Sequence, residues 1–222
     1  MWGETLSPTK RPRVLIADDH FFVAEACQRI LEPELEVAGI FSNGQALLEA
    51  VPVLKPDVII LDVGMPLMNG LEAGKRIKRL QRTIKLVYLT MNPDLGIAAE
   101  AFRCGASGYL LKTSAGTELI SAVRKVLQGE YYVSPLVTSD TDSFFLEIRI
   151  SDVGQEILTS RQREVLQLLA EGRSMKEIAY ILKLTPRTVA FHKYKVMERL
   201  RVKTNAGLVQ YAIQQHVISP GA

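Results

Sequence analysis

The chain has 222 residues, of which 47% are hydrophobic and 23% charged, a composition typical of globular proteins rather than of disordered or fibrous ones. The amino end has no apolar stretch typical of a secretory signal, and no apolar run approaches the ~20 residues that a membrane span needs. We therefore expect a cytoplasmic protein without a membrane partner, long enough for two ordinary domains.

The formal net charge of +3 conceals an asymmetry between two parts of the chain. Residues 1–154 carry 16 Lys/Arg and 19 Asp/Glu, a balance of −3, whereas residues 155–222 carry 11 and 5, a balance of +6. A basic module that follows a mildly acidic one indicates a polyanionic partner for the second part. Taken alone, the charge fits a plain solvated face equally well.

Short β-branched runs alternate with longer amphipathic segments in the first part of the chain. Five strands are predicted, at residues 14–17, 36–41, 58–61, 85–90 and 107–111. Helices are predicted between and after them, near residues 20–32, 44–54, 70–80, 94–104 and 115–129. The strands lack a period of two, as expected when both faces are covered. This order predicts an α/β domain over residues 12–133 that contains a doubly wound five-stranded parallel sheet.

Residues 134–154 interrupt this pattern with a Ser/Thr/Asp cluster, which predicts a linker in which the segment FFLEIRI could pack or pair locally. Four helical patterns and no strand follow, near residues 160–171, 175–183, 187–200 and 204–217. Thr159 and Gln162 predict a capping box at the start of the first of these helices, and Gly172 predicts its end. A small all-α domain is therefore predicted for residues 155–220.

Polar side chains lie at the carboxyl ends of four predicted strands. Asp18 and Asp19 follow the first strand, and Asp62 follows the third. Thr90 ends the fourth strand, and Lys112 follows the fifth. A lone Asp after a strand is usually a turn former, but ligands of open α/β sheets bind at these ends. The combination predicts one oxygen-rich site for a hard cation such as Mg²⁺, with the hydroxyl and ammonium groups facing an anion.

Four motifs in the first domain, VLIADDH, VIILDVGMPLMNGLE, LVYLTMN and GASGYLLKTS, closely resemble the receiver domain of two-component response regulators. The resemblance implies that Asp62 accepts a phosphoryl group from a sensor histidine kinase. It implies that Thr90 and Lys112 contact the phosphoryl oxygens, and that Tyr109 is the aromatic side chain that changes rotamer on activation. The Mg²⁺ ligands that it implies are Asp18, Asp19, Asp62 and the carbonyl of Gly64.

Enzymes that act on an external substrate fit these residues less well, so we expect no enzyme. A phosphatase of the haloacid dehalogenase type needs a second acid two residues after the nucleophile, and position 64 is Gly. A dinucleotide-dependent dehydrogenase needs G-x-G-x-x-G after the first strand, where this chain has DDHFFV. A carboxylate that attacks a metaphosphate-like group needs mainly charge neutralisation, which Mg²⁺ and Lys112 would supply.

The second domain resembles the LuxR/NarL-type helix-turn-helix over residues 158–212, in the motifs LTSRQREVL, AEGRSMKEIA and LTPRTVAFHKYKVMERL. The recognition helix of this motif begins near Pro186. Val189, Val196 and Leu200 repeat along it at spacings of seven and four, which predicts the face that packs on the core.

Side chains of the recognition helix that lie off this stripe are candidates for DNA contact. Base-edge or thymine-methyl contact is expected of Ala190, Phe191 and Tyr194. Phosphate contact is expected of Arg187, Thr188, His192, Lys193 and Lys195. The competing interpretation places Phe191 and Tyr194 in the core.

These features predict a response regulator that controls transcription by sequence-specific DNA binding. Its expected partners are a sensor histidine kinase, promoter DNA and, when phosphorylated or bound to DNA, a second copy paired through the last helix. The alternative is a coregulator that acts mainly through protein–protein contacts with another transcription factor. A salt-dependent affinity for promoter DNA would separate the two.

Overall fold

A six-stranded parallel sheet forms the centre of the first domain in the computed structural model, which describes residues 11–150, 158–215 and 217–218. The strand order is β2-β1-β3-β4-β5-β6. The strands are β1 (Arg13–Ala17), β2 (Glu36–Phe41), β3 (Val58–Asp62), β4 (Lys85–Thr90), β5 (Gly108–Leu111) and β6 (Tyr132–Val133). The doubly wound parallel sheet predicted from the sequence is confirmed.

The predicted strand number of five was wrong, because β6 adds a sixth strand beside β5. It is held by two backbone hydrogen bonds, from Tyr132 N to Ser107 O at 3.0 Å and from Ser134 N to Tyr109 O at 2.9 Å. A two-residue strand is too short to produce a periodic pattern in the sequence.

Helices cover both faces of the sheet and bury a separate hydrophobic cluster on each side. The helices of this part are α1 (Phe21–Leu31), α2 (Gly44–Leu54), α3 (Gly70–Leu80), α4 (Leu95–Arg103) and α5 (Ala115–Leu127). All five residues of β3 are buried, which agrees with its unbroken apolar sequence.

A further helix, α6 (Thr141–Ile150), lies inside the segment predicted to be a linker. Phe144 is 6% exposed and its ring lies 5.8 Å from that of Phe102 in α4, while Phe145 lies 5.0 Å from the same ring. These edge-to-face contacts anchor α6 to the first domain. Within the segment 134–154 predicted as a linker, the FFLEIRI stretch packs locally, as the sequence allowed, and it does so as part of a helix that no sequence pattern predicted.

Four helices form the second domain, and they agree with the predicted order: α7 (Ser160–Ala170), α8 (Met175–Ile181), α9 (Pro186–Leu200) and α10 (Asn205–Gln214). The capping box of Thr159 and Gln162 is present at the start of α7. Val189 and Val196 of α9 are fully buried, and the partly buried Leu200 packs against the cluster that contains Val196. Within the described residues, no helix is both long and apolar enough to cross a membrane.

Gly70, the first residue of α3, allows the helix to start directly against the end of β3. A Cβ atom at this position would lie 2.0 Å from the carbonyl oxygen of Asp62. Asn69 caps the helix by accepting a hydrogen bond from Glu72 N at 2.9 Å. The close approach fixes the backbone on which Asp62 is carried.

We predict that Gly70→Ala destabilises the protein by about 1–3 kcal/mol, because the added methyl group must displace the backbone of Asp62. Gly116→Ala is the matched control, since a Cβ there meets nothing within 4 Å. That control should gain up to about 1 kcal/mol from helix propensity. Urea denaturation of the two variants measures both values, and equal stabilities would contradict the close approach.

Candidate functional sites

The register of the sheet explains why the predicted polar residues meet. Leu61 of β3 is paired with Ala17 of β1, so Asp62 and Asp18 lie next to each other at the same edge. Thr90 of β4 is paired with Leu111 of β5, so Lys112 leaves the sheet beside it. Residues that are far apart in sequence therefore converge on one pocket, called here the acidic pocket, as predicted for the carboxyl edge of a parallel sheet.

Lys112 lies at the centre of the acidic pocket. Its Nζ atom lies 2.8 Å from Asp18 Oδ2 and 2.8 Å from Asp62 Oδ2. Asp18 and Asp62 are 3% and 4% exposed, so one ammonium group neutralises part of the charge of two buried carboxylates. Two carboxylates and one ammonium leave an excess of negative charge, to which Asp19 adds.

Burial and repulsion between carboxylates raise the pKa of Asp18 and of Asp19. Burial raises the pKa of Asp18, and the neighbouring Asp62 raises it further, although Lys112 opposes both effects. The pKa of Asp19 is also raised, first by burial. Burial lowers the pKa of Lys112, but Asp62 and Asp18 outweigh this and leave its pKa above the ordinary value, so the ammonium stays charged.

The donor atoms of the pocket fit a hard cation. One donor atom from each of Asp18, Asp19, His20 and Asp62 lies within 4.8 Å of the others. Asp18 Oδ2 is buried 2.8 Å from Lys112 Nζ, and a carboxylate oxygen in such a contact keeps a further lone pair for a cation. Clustered carboxylate oxygens with excess negative charge suit Mg²⁺, which takes few protein ligands and keeps several waters.

His20 belongs to this cluster although the sequence analysis did not select it. Its Nδ1 atom lies 3.2 Å from Asp18 Oδ1 and 3.0 Å from Asp19 Oδ1, and its backbone N–H donates to Asp18 Oδ1 at 2.8 Å. These contacts orient the two carboxylates. The only signal in the sequence is its position directly after them. Gly64 also approaches the pocket, since its N–H donates to Asp62 Oδ1 at 3.2 Å.

Thr90 and Tyr109 are linked through Asn92 at the side of the pocket. Thr90 Oγ1 accepts a hydrogen bond from Asn92 N at 3.0 Å, and the Tyr109 hydroxyl donates to Asn92 O at 3.5 Å. The Tyr109 ring is fully buried, and this burial raises the pKa of its hydroxyl. The predicted rotamer switch requires two positions of the Tyr109 ring, one buried and one exposed. The structure shows the buried position. The switch itself stays a prediction.

The loop of residues 63–69, which follows Asp62, is bound by helix α7 of the second domain. The Gln167 side chain is 2% exposed, accepts a hydrogen bond from Asn69 N at 3.0 Å and donates one to Met65 O at 2.9 Å. Glu171 Oε1 accepts a hydrogen bond from Leu67 N at 3.1 Å. We call this set of contacts the interdomain clasp.

Leu67 carries the apolar part of the clasp. Its φ angle is 65°, a left-handed conformation that costs a leucine about 1–2 kcal/mol. Its side chain packs against the hydrophobic cluster that contains Val165, Leu168 and Val189 of the second domain. The strained backbone therefore presents the leucine to the neighbouring domain.

Ion pairs surround the clasp. The Arg76 guanidinium of α3 lies 2.8 Å from Glu72 Oε1 within its own helix and 2.9 Å from Glu164 Oε1 of α7. Arg163 of α7 in turn lies 3.7 Å from Glu72 Oε2 and 3.8 Å from Glu100 Oε1. Glu72 and Glu164 are 4% and 5% exposed, so these pairs are shielded from solvent. The two domains thus meet through matched charges as well as through the loop.

We predict that Gln167→Ala opens the interdomain clasp, because it leaves Asn69 N–H and Met65 C=O without a partner at about 1–3 kcal/mol for each group if they stay buried. Small-angle X-ray scattering should then show a larger radius of gyration than for the wild type. Gln210→Ala, at an exposed site of the same domain, is the control. Identical scattering of the two variants would mean that Gln167 does not hold the domains together.

The recognition helix α9 exposes the two aromatic side chains whose position the sequence left open. Phe191 is 59% exposed and Tyr194 is 66% exposed, which excludes them from the core of this structure. Ala190 is partly buried beside them, and Arg187 is exposed in the first turn. The arrangement is compatible with base-edge contact, which stays a prediction.

Two of the predicted phosphate-contact residues already have partners in α9 or at its cap, and a third is partly buried. Lys195 Nζ lies 2.7 Å from Glu198 Oε2, and Thr188 Oγ1 lies 2.9 Å from the hydroxyl of the capping residue Thr185. His192 is partly buried, and burial followed by the nearby Arg161 lowers its pKa, so the ring is neutral at pH 7. Lys193, which is partly buried, and Arg187 are the remaining two candidates.

Comparison with known proteins finds a matching family for each of the two parts of the chain. The family described as "Response regulator receiver domain" matches residues 14–124, and "Bacterial regulatory proteins, luxR family" matches residues 156–212. A parallel α/β domain with an acidic pocket, followed by a helix-turn-helix, defines a signal-controlled regulator of transcription. The chain belongs to the response regulators of the NarL/LuxR family.

Full-length relatives share this organisation. The oxygen regulatory protein NreC of Staphylococcus carnosus is 34% identical over 218 residues, which cover 93% of this chain and 99% of that protein. The transcriptional regulatory protein DegU of Brevibacillus brevis is 32% identical over 219 residues, covering 91% and 93%.

Solved structures of the response regulator RcsB are also similar. The match to RcsB of Salmonella typhimurium covers 95% of this chain and 100% of the RcsB chain, with a TM-score of 0.63 and 28% identity. RcsB of Salmonella enterica serovar Typhimurium bound to promoter P1flhDC matches 91% and 98% with a TM-score of 0.60 and 30% identity.

Proposed function

We propose that Asp62 accepts a phosphoryl group from the phosphohistidine of a sensor histidine kinase, and that this event controls binding of the second domain to promoter DNA. The observation that carries the proposal is the buried Asp62 carboxylate, 2.8 Å from Lys112 Nζ. A carboxylate oxygen attacks phosphorus, a P–O bond forms as the P–N bond breaks, and the histidine nitrogen keeps the electron pair.

The residues around Asp62 would stabilise the negative charge of the phosphoryl group during the transfer. Asp18, Asp19, Asp62 and the carbonyl of Gly64 would hold Mg²⁺, which when bound supplies positive charge to the phosphoryl oxygens. Lys112 would add its own positive charge to these oxygens, and Thr90 would donate a hydrogen bond to one of them. These roles need little movement, since Lys112 already contacts Asp62.

The interdomain clasp gives phosphorylation a route to the second domain. The loop of residues 63–69 begins at Asp62, and Asp62 Oδ1 accepts a hydrogen bond from Gly64 N within it. A phosphoryl group on the carboxylate competes for this N–H and draws the loop inward. Met65 O and Asn69 N then move away from Gln167, so α7 is released.

Release of α7 frees the second domain to pair with another copy on DNA. A homodimer would present two α9 helices to half-sites about one helical turn apart. A structure of two RcsB dimers bound to two parallel DNAs, which matches 91% of this chain at 30% identity, supports a dimer on DNA. We propose α10 as the pairing helix, since Ile213 on it is 36% exposed.

The phosphoacceptor is tested with acetyl phosphate and Mg²⁺, followed by intact-mass measurement. Asp62→Asn should abolish the phosphoryl mass increment, because the amide is not a nucleophile of this kind. Asp94→Asn is the matched control, since Asp94 also follows a strand at this edge, and Asn caps α4 as well as Asp does. If Asp62→Asn still gains the full phosphoryl mass increment, the phosphoacceptor is another residue.

DNA recognition is tested on a duplex selected from a random library and on a scrambled one. Tyr194→Ala should reduce the preference for the selected duplex by about 1–3 kcal/mol. Arg187→Ala should weaken binding to both duplexes equally. It should also reduce the slope of log affinity against log salt concentration by about 1. Tyr180→Ala is the control, because Tyr180 is 87% exposed but lies on α8. If Tyr194→Ala behaves like the control, α9 does not read bases through that residue, and a role through protein–protein contacts gains support.

A further inference from the structure

His20 lies at the mouth of the acidic pocket, directly after the two aspartates that the proposed function assigns to the cation. Its side chain is 62% exposed, so the ring is open to ions that arrive from solvent. The Nδ1 atom faces inward, 3.2 Å from Asp18 Oδ1 and 3.0 Å from Asp19 Oδ1. The proposed phosphotransfer uses neither nitrogen of this ring.

The spacing of these three atoms matches that of ligands around a single ion. Ligand atoms about 2.1 Å from a metal ion in octahedral geometry are about 3 Å apart when they are neighbours. An oxygen of Asp62 completes a group of four donor atoms that all lie within 4.8 Å of one another. One ion can therefore contact the imidazole and the carboxylates with only small movements of the side chains.

Groups of both charges face the Nδ1 atom. The carboxylates of Asp18 and Asp19 accept hydrogen bonds, whereas the Lys112 ammonium, 3.5 Å from Nδ1, donates them. The Lys112 contact is long for a hydrogen bond, and Nζ has two shorter contacts, at 2.8 Å each, with Asp18 and Asp62. One hydrogen on Nδ1 must be shared between the two carboxylates. A divalent cation can bind both of them and the Nδ1 lone pair at once.

An imidazole ligand changes which cations a carboxylate site prefers. Mg²⁺ is a hard cation that binds oxygen ligands, whereas imidazole nitrogen suits transition ions such as Ni²⁺, Cu²⁺ and Zn²⁺. Carboxylate oxygens bind cations of both classes, so the nitrogen decides between them. Affinity for sites of nitrogen and oxygen ligands rises from Mn²⁺ to Ni²⁺. A pocket in which His20 is a ligand should therefore hold Ni²⁺ more tightly than Mg²⁺.

We propose that His20 is a direct ligand of the cation in the acidic pocket and makes the pocket selective for divalent transition ions over Mg²⁺. The inference rests on the proposed function, because it adds a nitrogen ligand to the oxygen ligands of the same cation site. Transition ions then compete with Mg²⁺ beside the phosphoacceptor. Phosphorylation of Asp62 would in this way depend on which divalent ions are present as well as on the kinase.

The test measures the affinity for divalent ions in the full-length, unphosphorylated chain without an affinity tag. Electron paramagnetic resonance measures free Mn²⁺, and displacement of bound Mn²⁺ by Mg²⁺ and by Ni²⁺ gives the affinities of both ions. His20→Asn should lower the Ni²⁺ affinity by about tenfold or more and leave the Mg²⁺ affinity nearly unchanged. Asn keeps N–H donors for the two carboxylates but has no imidazole nitrogen. His192→Asn is the matched control, because it removes an imidazole from α9 and should change neither affinity.

A second readout identifies the ligand directly. Pulsed electron paramagnetic resonance of bound Mn²⁺ should show coupling to an imidazole nitrogen in the wild type and in His192→Asn, and this coupling should be absent from His20→Asn. Equal losses of Ni²⁺ and Mg²⁺ affinity in His20→Asn, the result expected of a residue that only orients the carboxylates, overturn the proposal. An unchanged Ni²⁺ affinity, or a wild-type spectrum without nitrogen coupling, overturns it as well.

The same measurements separate this proposal from the proposed function. If Mg²⁺ displaces Mn²⁺ and Asp62 is labelled, but His20→Asn has the Ni²⁺ affinity of the wild type, only the role of His20 is lost. A wild-type chain that binds no Mn²⁺, or from which Mg²⁺ displaces none, has no such cation site, and both proposals are then wrong. His20→Gln repeats the comparison should His20→Asn fail to fold.

Discussion

One ammonium group between two buried carboxylates determines how the first domain is organised. Lys112 contacts both Asp18 and Asp62 at 2.8 Å, so three strands must end at matching heights for the charges to meet. Loss of one partner from a buried ion pair costs about 3–5 kcal/mol. The same group leaves the pocket with an excess of negative charge, and clustered carboxylate oxygens with such an excess suit a hard cation.

The loop after Asp62 contacts both the acidic pocket and the second domain, so it links the two directly. Gly70 brings α3 against the end of β3, Asn69 caps it, and the short chain between these residues and Asp62 faces α7. Only a few residues separate Asp62 from the interdomain clasp. A displacement of an ångström or so at the carboxylate therefore reaches Gln167 without a long chain of intermediates.

The sequence predicted the sheet, its helices and the acidic pocket, because strand ends and hydrophobic runs are local signals. Asp18, Asp62 and Lys112 could be found since each directly follows a buried strand. The contacts of Gln167 could not be predicted from the sequence. They join residues about a hundred positions apart and depend on how the two domains dock. The helix α6 was missed for a related reason: its aromatic partners lie in α4, and its own polar residues are typical of a loop.

The exposure of Phe191 and Tyr194 while the domains are docked has a consequence for how such a regulator finds its target. Sequence-independent attraction to the duplex rests on positive charge, which the docked chain keeps at the exposed Arg187 in the first turn of α9. The docked form therefore keeps part of the charge that attracts any duplex. Under the proposed control, release of the domains would act on the pairing of two α9 helices at half-sites rather than on the first encounter with DNA.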